Sequence, residues 1–461
     1  SVTLNTPMAP INDAPTMTGA PQALTESEDP ASGTTAVGQV ASLFSPVFSD
    51  TPDQQQAAGG STASQSDTLA GIAITNDAAD PKTQGVWQYS TDGGQTWTDV
   101  PAGTSATSAL VLPSTAQLQF VPVADFNGQP GGLTTHVIDN SNAAQGAPPS
   151  FMDNGTPVYG ADIAGATTAY VGVDVTAAIN GTDGTTPKDN ASISADSQVL
   201  NVAVAAVNDA PTITGTPVMP AETVNSTPST APGSSVASLF SPVFSDTPDQ
   251  QQTNGNPGGS VPNTLAGVAI TNDAANPATE GTWRYSTDGG QTWTDVPADT
   301  STTSARVLPG TAQLQFVPVA GFSGKPGGLT THVIDNSDAA QGAPPSFTNG
   351  GTPVYGSDIA AATTAYVGVD VSTVITGTTP TDAASVSAGS VVLSIPVFDA
   401  PTMTGAPTMS SEPEDSTIST AQHATVGDPL GPVTSDPTRS VPSSQVSGVA
   451  ITGDAATPDQ G

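Results

Sequence analysis

The sequence predicts an all-β chain, a tandem array of β-sandwich domains joined end to end. Long stretches recur at a fixed offset, which marks a repeat array. Apolar residues alternate with a period of two in short runs, and clusters of Gly, Pro, Asn and Asp break those runs every ten or so residues.

The repeat sets the organisation. VASLFSPVFSDTPDQQQ at 40–56 recurs unchanged at 236–252; 236 less 40 is an offset of 196. YSTDGGQTWTDVPA (89–102 and 285–298), TTHVIDNS (134–141 and 330–337) and TTAYVGVDV (167–175 and 363–371) keep the same offset. A third copy opens with DAPTMTG at 399–405 and reaches GVAITGDAA at 448–456. SVTLNTPMAPINDAPT at the start reads like VLNVAVAAVNDAPT at 199–212, the tail of a unit. The expected division is therefore 1–11 as the tail of a preceding repeat, 12–207 and 208–398 as complete repeats, and 399–461 as the start of a truncated third. On this reading the chain is an excerpt of a longer array.

Within a unit the runs read as strands. GIAITND sets Ile72 and Ile74 on one face, VWQYS pairs Trp87 with Tyr89, and QLQFV pairs Leu118 with Phe120. AYVGVDV aligns Val171, Val173 and Val175, and VLNVAV aligns Leu200, Val202 and Val204. No helical stripe is read anywhere. AAQGAPPSFMDNGTPVYG at 143–160 and its counterpart at 339–356 read as a long loop enlarging a unit of about 100 residues. One sandwich with an elaborated late loop is the first expectation, two small subdomains per unit the second.

Composition narrows the function. There are 41 Asp+Glu against 6 Lys+Arg, a net charge of −35, yet only 10% of residues are charged, where about 25% is usual. The acidity comes from missing bases. The six, Lys82, Lys188, Arg284, Arg306, Lys325 and Arg439, are scattered, which argues against nucleic acid or an anionic bilayer as partner. Divalent cations suit such a chain, because uncompensated carboxylates repel until something bridges them. With no cysteine, a disulfide framework, a thiolate metal site and a Cys nucleophile are excluded. No apolar run approaches the roughly 18 residues that span a bilayer, and no signal peptide is expected at Ser1. Four Trp, 11 Phe and 6 Tyr in alternating runs argue against wholesale disorder.

AVAAVNDAPTITG (203–215) resembles the junction of cadherin-like and immunoglobulin-like tandem repeats in giant bacterial secreted adhesins, of the RTX-adhesin extender type. LQFVPVADFNG (118–128) and LQFVPVAGFSG (314–324) resemble the penultimate-strand region of those repeats. The resemblance implies tandem Ig-like/cadherin-like β-sandwich domains in an end-to-end rod. It also implies an extracellular or cell-surface location, junctions rigidified by Ca2+, and export without an N-terminal signal. The unit here is nearly twice the usual length, and the linker is shortened to Asn-Asp-Ala-Pro.

The junction is the leading chemical candidate. Asp13, Asp209 and Asp399 are followed 13 residues later by Glu26, Glu222 and Glu412. Glu28 with Asp29 and Glu414 with Asp415 reinforce two copies; the middle copy has Val224 and Asn225. A hard cation needs six to eight oxygens gathered from several loops, and this region offers them, with an expected affinity of roughly 10⁻⁴–10⁻³ M. Asp50, Asp53 and Asp139, with their copies Asp246, Asp249 and Asp335, are read as solvated carboxylates and only secondarily as ligands.

Ser90–Trp97 matches the Asp-box S-x-D-x-G-x-T-W. It is read as a folded hairpin turn, since the first unit lacks the arginines a sialidase needs for its substrate carboxylate. Trp87, Trp97, Trp283 and Trp293 are expected in the core. His136 and His332 lie in strands and His423 in a linker-like stretch; none is read with Asp139 or its copy as a triad, and no enzymatic activity is expected. Asn154, Asn180, Asn190 and Asn225 begin glycosylation triplets and report exposed loops. The expected function is structural or adhesive. One reading is the extender of a surface or biofilm-matrix adhesin, whose ligand-binding tip lies outside this segment. The rivals are a laterally self-associating filament, sheath or surface layer and, more remotely, a carbohydrate-binding module. Partners are neighbouring repeats of the same chain.

Overall fold

The GIAITND run lies in the strand Leu69–Asp77, central to a five-stranded antiparallel sheet. A computed structural model describes residues 11–28, 30, 35–51, 53, 66–180, 190–252, 254–256, 258–376, 383–399, 402–403 and 434–435. The chain falls into two units, Ser1–Asp209 with Asp246–Asn263, and Ala210–Ser245 with Thr264–Gly461.

In the first unit the five-stranded sheet runs Tyr170–Val173, Ala109–Pro113, Leu69–Asp77, Leu133–Asp139, Gln198–Leu200. A four-stranded sheet runs Val37–Gln39, Gln117–Pro122, Gly85–Ser90, Thr98–Asp99. Ile72, Ile74, Leu110, Leu112 and Val137 of the first sheet meet Trp87, Tyr89, Leu118 and Phe120 of the second in one core. Period-two alternation on two facing sheets is what buries these side chains. The second unit repeats the plan with five strands, Tyr366–Val369, Ala305–Pro309, Leu265–Asp273, Leu329–Asp335 and Val391–Leu393, over four, Ser234–Ser235, Gln313–Pro318, Gly281–Ser286 and Thr294–Asp295. The architecture is a tandem all-β repeat of sandwich-like domains.

Four features differ from the sequence expectations. The segment read as a long loop is an ordered third layer. In the first unit it contains the hairpin Phe151–Asp153/Thr156–Val158 and runs into the helix Gly160–Ala164, with a second short helix, Thr176–Asn180, further on. Phe151, Val158, Ile163, Ile179 and Ile193 pack on Ala70, Ala73, Val111 and Ile138, the face of the central sheet turned away from the sandwich core. Both faces of that sheet are therefore covered, which is why its strands read as nearly continuous apolar runs. Second, short helices exist: VASLF forms Val40–Phe44 and again Val236–Phe240, burying Val40, Leu43 and Phe44 at helical spacing. Third, VLNVAV is not one strand. It breaks at Asn201, and Val202–Ala205 leaves the sheet to pair in parallel with Leu24–Ser27. Fourth, a register shift at Gly172, φ +74°, leaves Val171 54% exposed while Val173 and Val175 are buried.

Most of the third copy, with Glu412, Glu414, Asp415 and His423, and most of the 1–11 tail lie outside the described residues. Among the described residues no helix is long and apolar enough to cross a membrane.

One difference between the copies is testable. In the first unit Gln88 stands opposite both Gln119 and Asp99, and the three form a ladder, Gln119 Nε2 to Gln88 Oε1 (2.8 Å) and Gln88 Nε2 to Asp99 Oδ1 (2.7 Å). Arg284 takes the place of Gln88 in the second unit and turns to Asp295 (2.5 Å). The fully buried Gln315 amide then has no partner for either Nε2 or Oε1. An exposed ion pair contributes about 0–1 kcal/mol, whereas a stranded buried amide costs about 1–3 kcal/mol. Arg284→Gln is therefore expected to stabilise the second unit by about 1 kcal/mol in calorimetry. A loss of stability would show that the Arg284–Asp295 pair outweighs the ladder.

Candidate metal centre

Antiparallel pairing gathers the carboxylates. Leu133–Asp139 runs against Leu69–Asp77 with Asp139 opposite Leu69, so Asp139 and Asp67 share one end of the sheet. Asp50 follows the short strand Phe48–Ser49, and Asp53 sits in the turn beyond it. Ligand oxygens of Asp50, Asp53 and Asp67 lie within 4.8 Å of one another.

Hydrogen bonds hold these groups in place. The Asp67 backbone N–H donates to Asp50 Oδ2, the Asp13 N–H to Asp53 Oδ2 (3.1 Å), and the Ser141 N–H to Asp139 Oδ1 (2.9 Å). Gln145 Nε2 donates to both Asp67 oxygens (3.0 Å each). Gly160 of the cap is packed so tightly on Asp139 that a Cβ there would lie 1.9 Å from its carbonyl oxygen. The third layer thus props the site from behind.

Asp50 is 3% exposed and Asp139 fully buried, and Asp50 Oδ1 and Asp139 Oδ2 have no hydrogen-bond partner. Burial pushes Asp50 up to about 6, helped by the charges of Asp53, Asp67 and Asp13. Burial pushes Asp139 up to about 8, with Asp67 and Asp50 adding to it. Buried oxygens close to other carboxylates are costly unless a proton or a cation lies among them. Each of the three carboxylates offers a hard oxygen to the same space, the donor type that Ca2+ takes. The Asp50, Asp53 and Asp67 cluster can therefore coordinate a divalent cation, with Asp139 beside it.

The predicted junction residues divide between two ends of the sandwich. Asp13 is half-buried at the acidic cluster, through its amide bond to Asp53. Glu26 and Glu28 lie elsewhere. Glu26 stands in register with Val204, and its carboxylate accepts from the Ser27 and Ala36 amides. Glu28 accepts from Asn127 Nδ2 (2.6 Å) and the Val207 amide. Val204 bridges Gly128, ahead of Leu133, whereas the cluster lies at Asp139. Six strand steps, about 20 Å, separate those two ends. Thirteen residues of mostly extended chain carry Glu26 away from Asp13 and toward Val207, two residues before Asp209.

Asp209 is 4% exposed, and its amide donates to Asp249 Oδ2 (3.2 Å), within the segment Asp246–Asn263 that belongs to the first unit. Burial, then the Asp249 charge, pushes Asp246 up to about 7. In the second unit Glu222 is 2% exposed; Oε1 accepts from the Thr223 amide (2.7 Å) and Ser226 Oγ (2.5 Å), and Oε2 has no hydrogen-bond partner. Asp399 is half-buried just after Val397–Phe398. Sequence reasoning ranked Asp50, Asp53 and Asp139 low and passed over Asp67. A signal was present in the DTPD turn closing one strand and the Asp that opens the approach to the next.

The Asp-box is the expected turn. It joins Gly85–Ser90 to Thr98–Asp99, and Asp92 accepts from the Gln95 and Thr96 amides (3.0 Å each), Ser90 Oγ (2.7 Å) and Thr96 Oγ1 (2.6 Å). These bonds, those of Thr96 foremost, hold Asp92 at about 2. Trp87 and Trp283 are core residues, but Trp97 and Trp293 are only half-buried over their own turns. His136 is buried with Nδ1 2.8 Å from the Ser194 carbonyl, and burial lowers its pKa.

No family model matches the chain, and a search of curated proteins finds no match. Fold and site together define a class: a tandem repeat of β-sandwich-like domains with an acidic, cation-competent end.

Proposed function

We propose that the chain is a stretch of an extracellular structural or adhesive repeat protein, similar to the cadherin-like extender repeats of bacterial secreted adhesins, and that Ca2+ stabilises it. The observation that carries this reading is the acidic end of the first sandwich, where Asp50 and Asp139 keep buried oxygens without hydrogen-bond partners beside Asp53 and Asp67. A bound cation converts mutual repulsion into a staple between the loop after Phe48–Ser49 and the ends of two central strands. Its role is mechanical, and we assign no enzymatic one. Surface location follows from the resemblance.

A second reading, lateral assembly into a filament or surface layer, draws support from the sheet edges. Val171 and Val199 on the outer strands of the first unit, and Val367 and Val392 on those of the second, are 42–56% exposed. Exposed apolar edge strands favour strand addition.

Calorimetry of the whole chain with calcium and with a chelator tests the first reading. At a calcium concentration 100 times the Kd the gain is about 2.7 kcal/mol, a rise of several degrees for a unit of this size. Identical melting in calcium and chelator would sink it. Size-exclusion chromatography in calcium separates the two readings: a monomer supports the extender, a concentration-dependent shift to larger species the polymer.

A further inference from the structure

Residue 67 and its copy, residue 263, are the point where two otherwise matching acidic sites diverge. The frames share two backbone bonds. The Asp67 amide donates to Asp50 Oδ2 and the Asn263 amide to Asp246 Oδ2; the Asp13 amide donates to Asp53 Oδ2 (3.1 Å) and the Asp209 amide to Asp249 Oδ2 (3.2 Å). Asp50 and Asp246 are 3% and 2% exposed, and the Oδ1 of each has no hydrogen-bond partner. The side chains at 67 and 263 are opposite in kind. Asp67 brings a third carboxylate to the cluster. Asn263 brings an amide whose Nδ2 donates to Asn208 Oδ1 (2.8 Å) and reaches toward Asp249 Oδ2 (3.5 Å).

We propose that these are unequal cation sites: the first, at Asp50, Asp53 and Asp67, binds Ca2+ at least tenfold more tightly than the second, at Asp246, Asp249 and Asn263, and residue 67/263 sets the difference. The inference rests on the cation reading above. Affinity at hard-ion sites follows the number of charged ligands, and the second site has one fewer. Its Asn263 amide also turns Nδ2 toward Asp249 Oδ2, so ligation through Oδ1 requires the amide to turn and give up its bond to Asn208. The second site has a cation-independent anchor instead. Ser260 N–H donates to Asn127 Oδ1 (2.6 Å) and Gln251 Nε2 to the Asp125 carbonyl (3.0 Å), fastening the segment Asp246–Asn263 to the turn after Gln117–Pro122. Falling calcium is thus felt at the first site, while neutral hydrogen bonds keep the second segment in place.

Calcium titrations followed by calorimetry, on the full chain and on Asp67→Asn and Asn263→Asp, decide the matter. The expected result is a tight class of site that Asp67→Asn weakens at least tenfold and a second tight class that Asn263→Asp creates. Because the second variant gains affinity, misfolding cannot imitate it. Tight binding that survives Asp67→Asn, together with an Asn263→Asp chain that gains nothing, overturns the inequality while leaving the cation reading standing. A wild-type chain that takes up no calcium overturns both.

Discussion

Trp87→Ala is expected to cost the first unit about 3–5 kcal/mol, the range for emptying a buried tryptophan site. Trp87 is 1% exposed, meets Phe120 edge-on with ring centroids 5.3 Å apart, and donates from Nε1 to the Gly131 carbonyl at 2.9 Å. Removing the ring opens a cavity between the two sheets and releases the loop that leads into Leu133–Asp139, whose far end carries Asp139. Trp87→Phe keeps part of the ring contact and loses the hydrogen bond, so its cost should be the smaller. The control is Trp97→Ala. Half-buried over its own turn, Trp97 should cost well under half as much. Calorimetric unfolding of the three variants checks this; equal losses at 87 and 97 would mean that the Asp-box turn, not the sandwich core, carries the stability.

Asp139→Asn is expected to change stability in opposite directions with and without calcium. Asp139 is fully buried and its pKa rises from 3.8 to about 8. A carboxyl with a raised folded pKa binds its proton more tightly in the folded chain, so without a cation it destabilises increasingly as pH rises from 3.8 to about 8, and acid relieves the loss. At pH 7 the proton held over those 3.2 pH units corresponds to an upper limit on the order of 4 kcal/mol, at about 1.36 per unit. In chelator, then, the wild type should gain stability as pH falls from 8 to 5, and the Asn variant should be more stable at pH 7 with a flatter profile. His136 works against this, because its lowered pKa makes it lose stability below about 6.5. In calcium the ranking should reverse, since an ion among Asp50, Asp53 and Asp67 attracts the ionised Asp139 carboxylate beside them, an attraction the variant lacks. Melting curves at pH 5 and 8, with calcium and with chelator, check both signs. A variant less stable than the wild type in chelator would remove Asp139 from the account.

Much of the fold was legible because its signals are local. Ile72 with Ile74, Trp87 with Tyr89 and Leu118 with Phe120 declare their faces by alternation, and all six are buried in one core. The Asp-box declares its turn through residues within a span of eight. Misreadings arose where local pattern and environment part. VASLF carries its helical stripe in a run of only five residues, too short to stand out. Asn201 looked like a spacer in a continuous strand, yet there the chain leaves one partner for another. The 143–160 segment is rich in Gly and Pro like a loop, but Phe151 and Val158, with Ile163 just beyond, have a sheet face to cover.

The candidate site divides the same way. Composition alone established that carboxylates lack counter-charges, at 41 against 6, and the repeat alone established that Asp50, Asp53 and Asp139 recur as Asp246, Asp249 and Asp335. Sequence spacing could not say which carboxylates meet. Asp13 and Glu26 are 13 residues apart yet belong to opposite ends of the sandwich, whereas Asp50 and Asp139 are 89 apart and feel each other's charge. Strand alternation is written by neighbours two residues away, so a single sequence records it. The meeting of Asp50, Asp53, Asp67 and Asp139 depends on which strands pair and in what register, and the competition among pairings that settles this is decided only when the whole core closes.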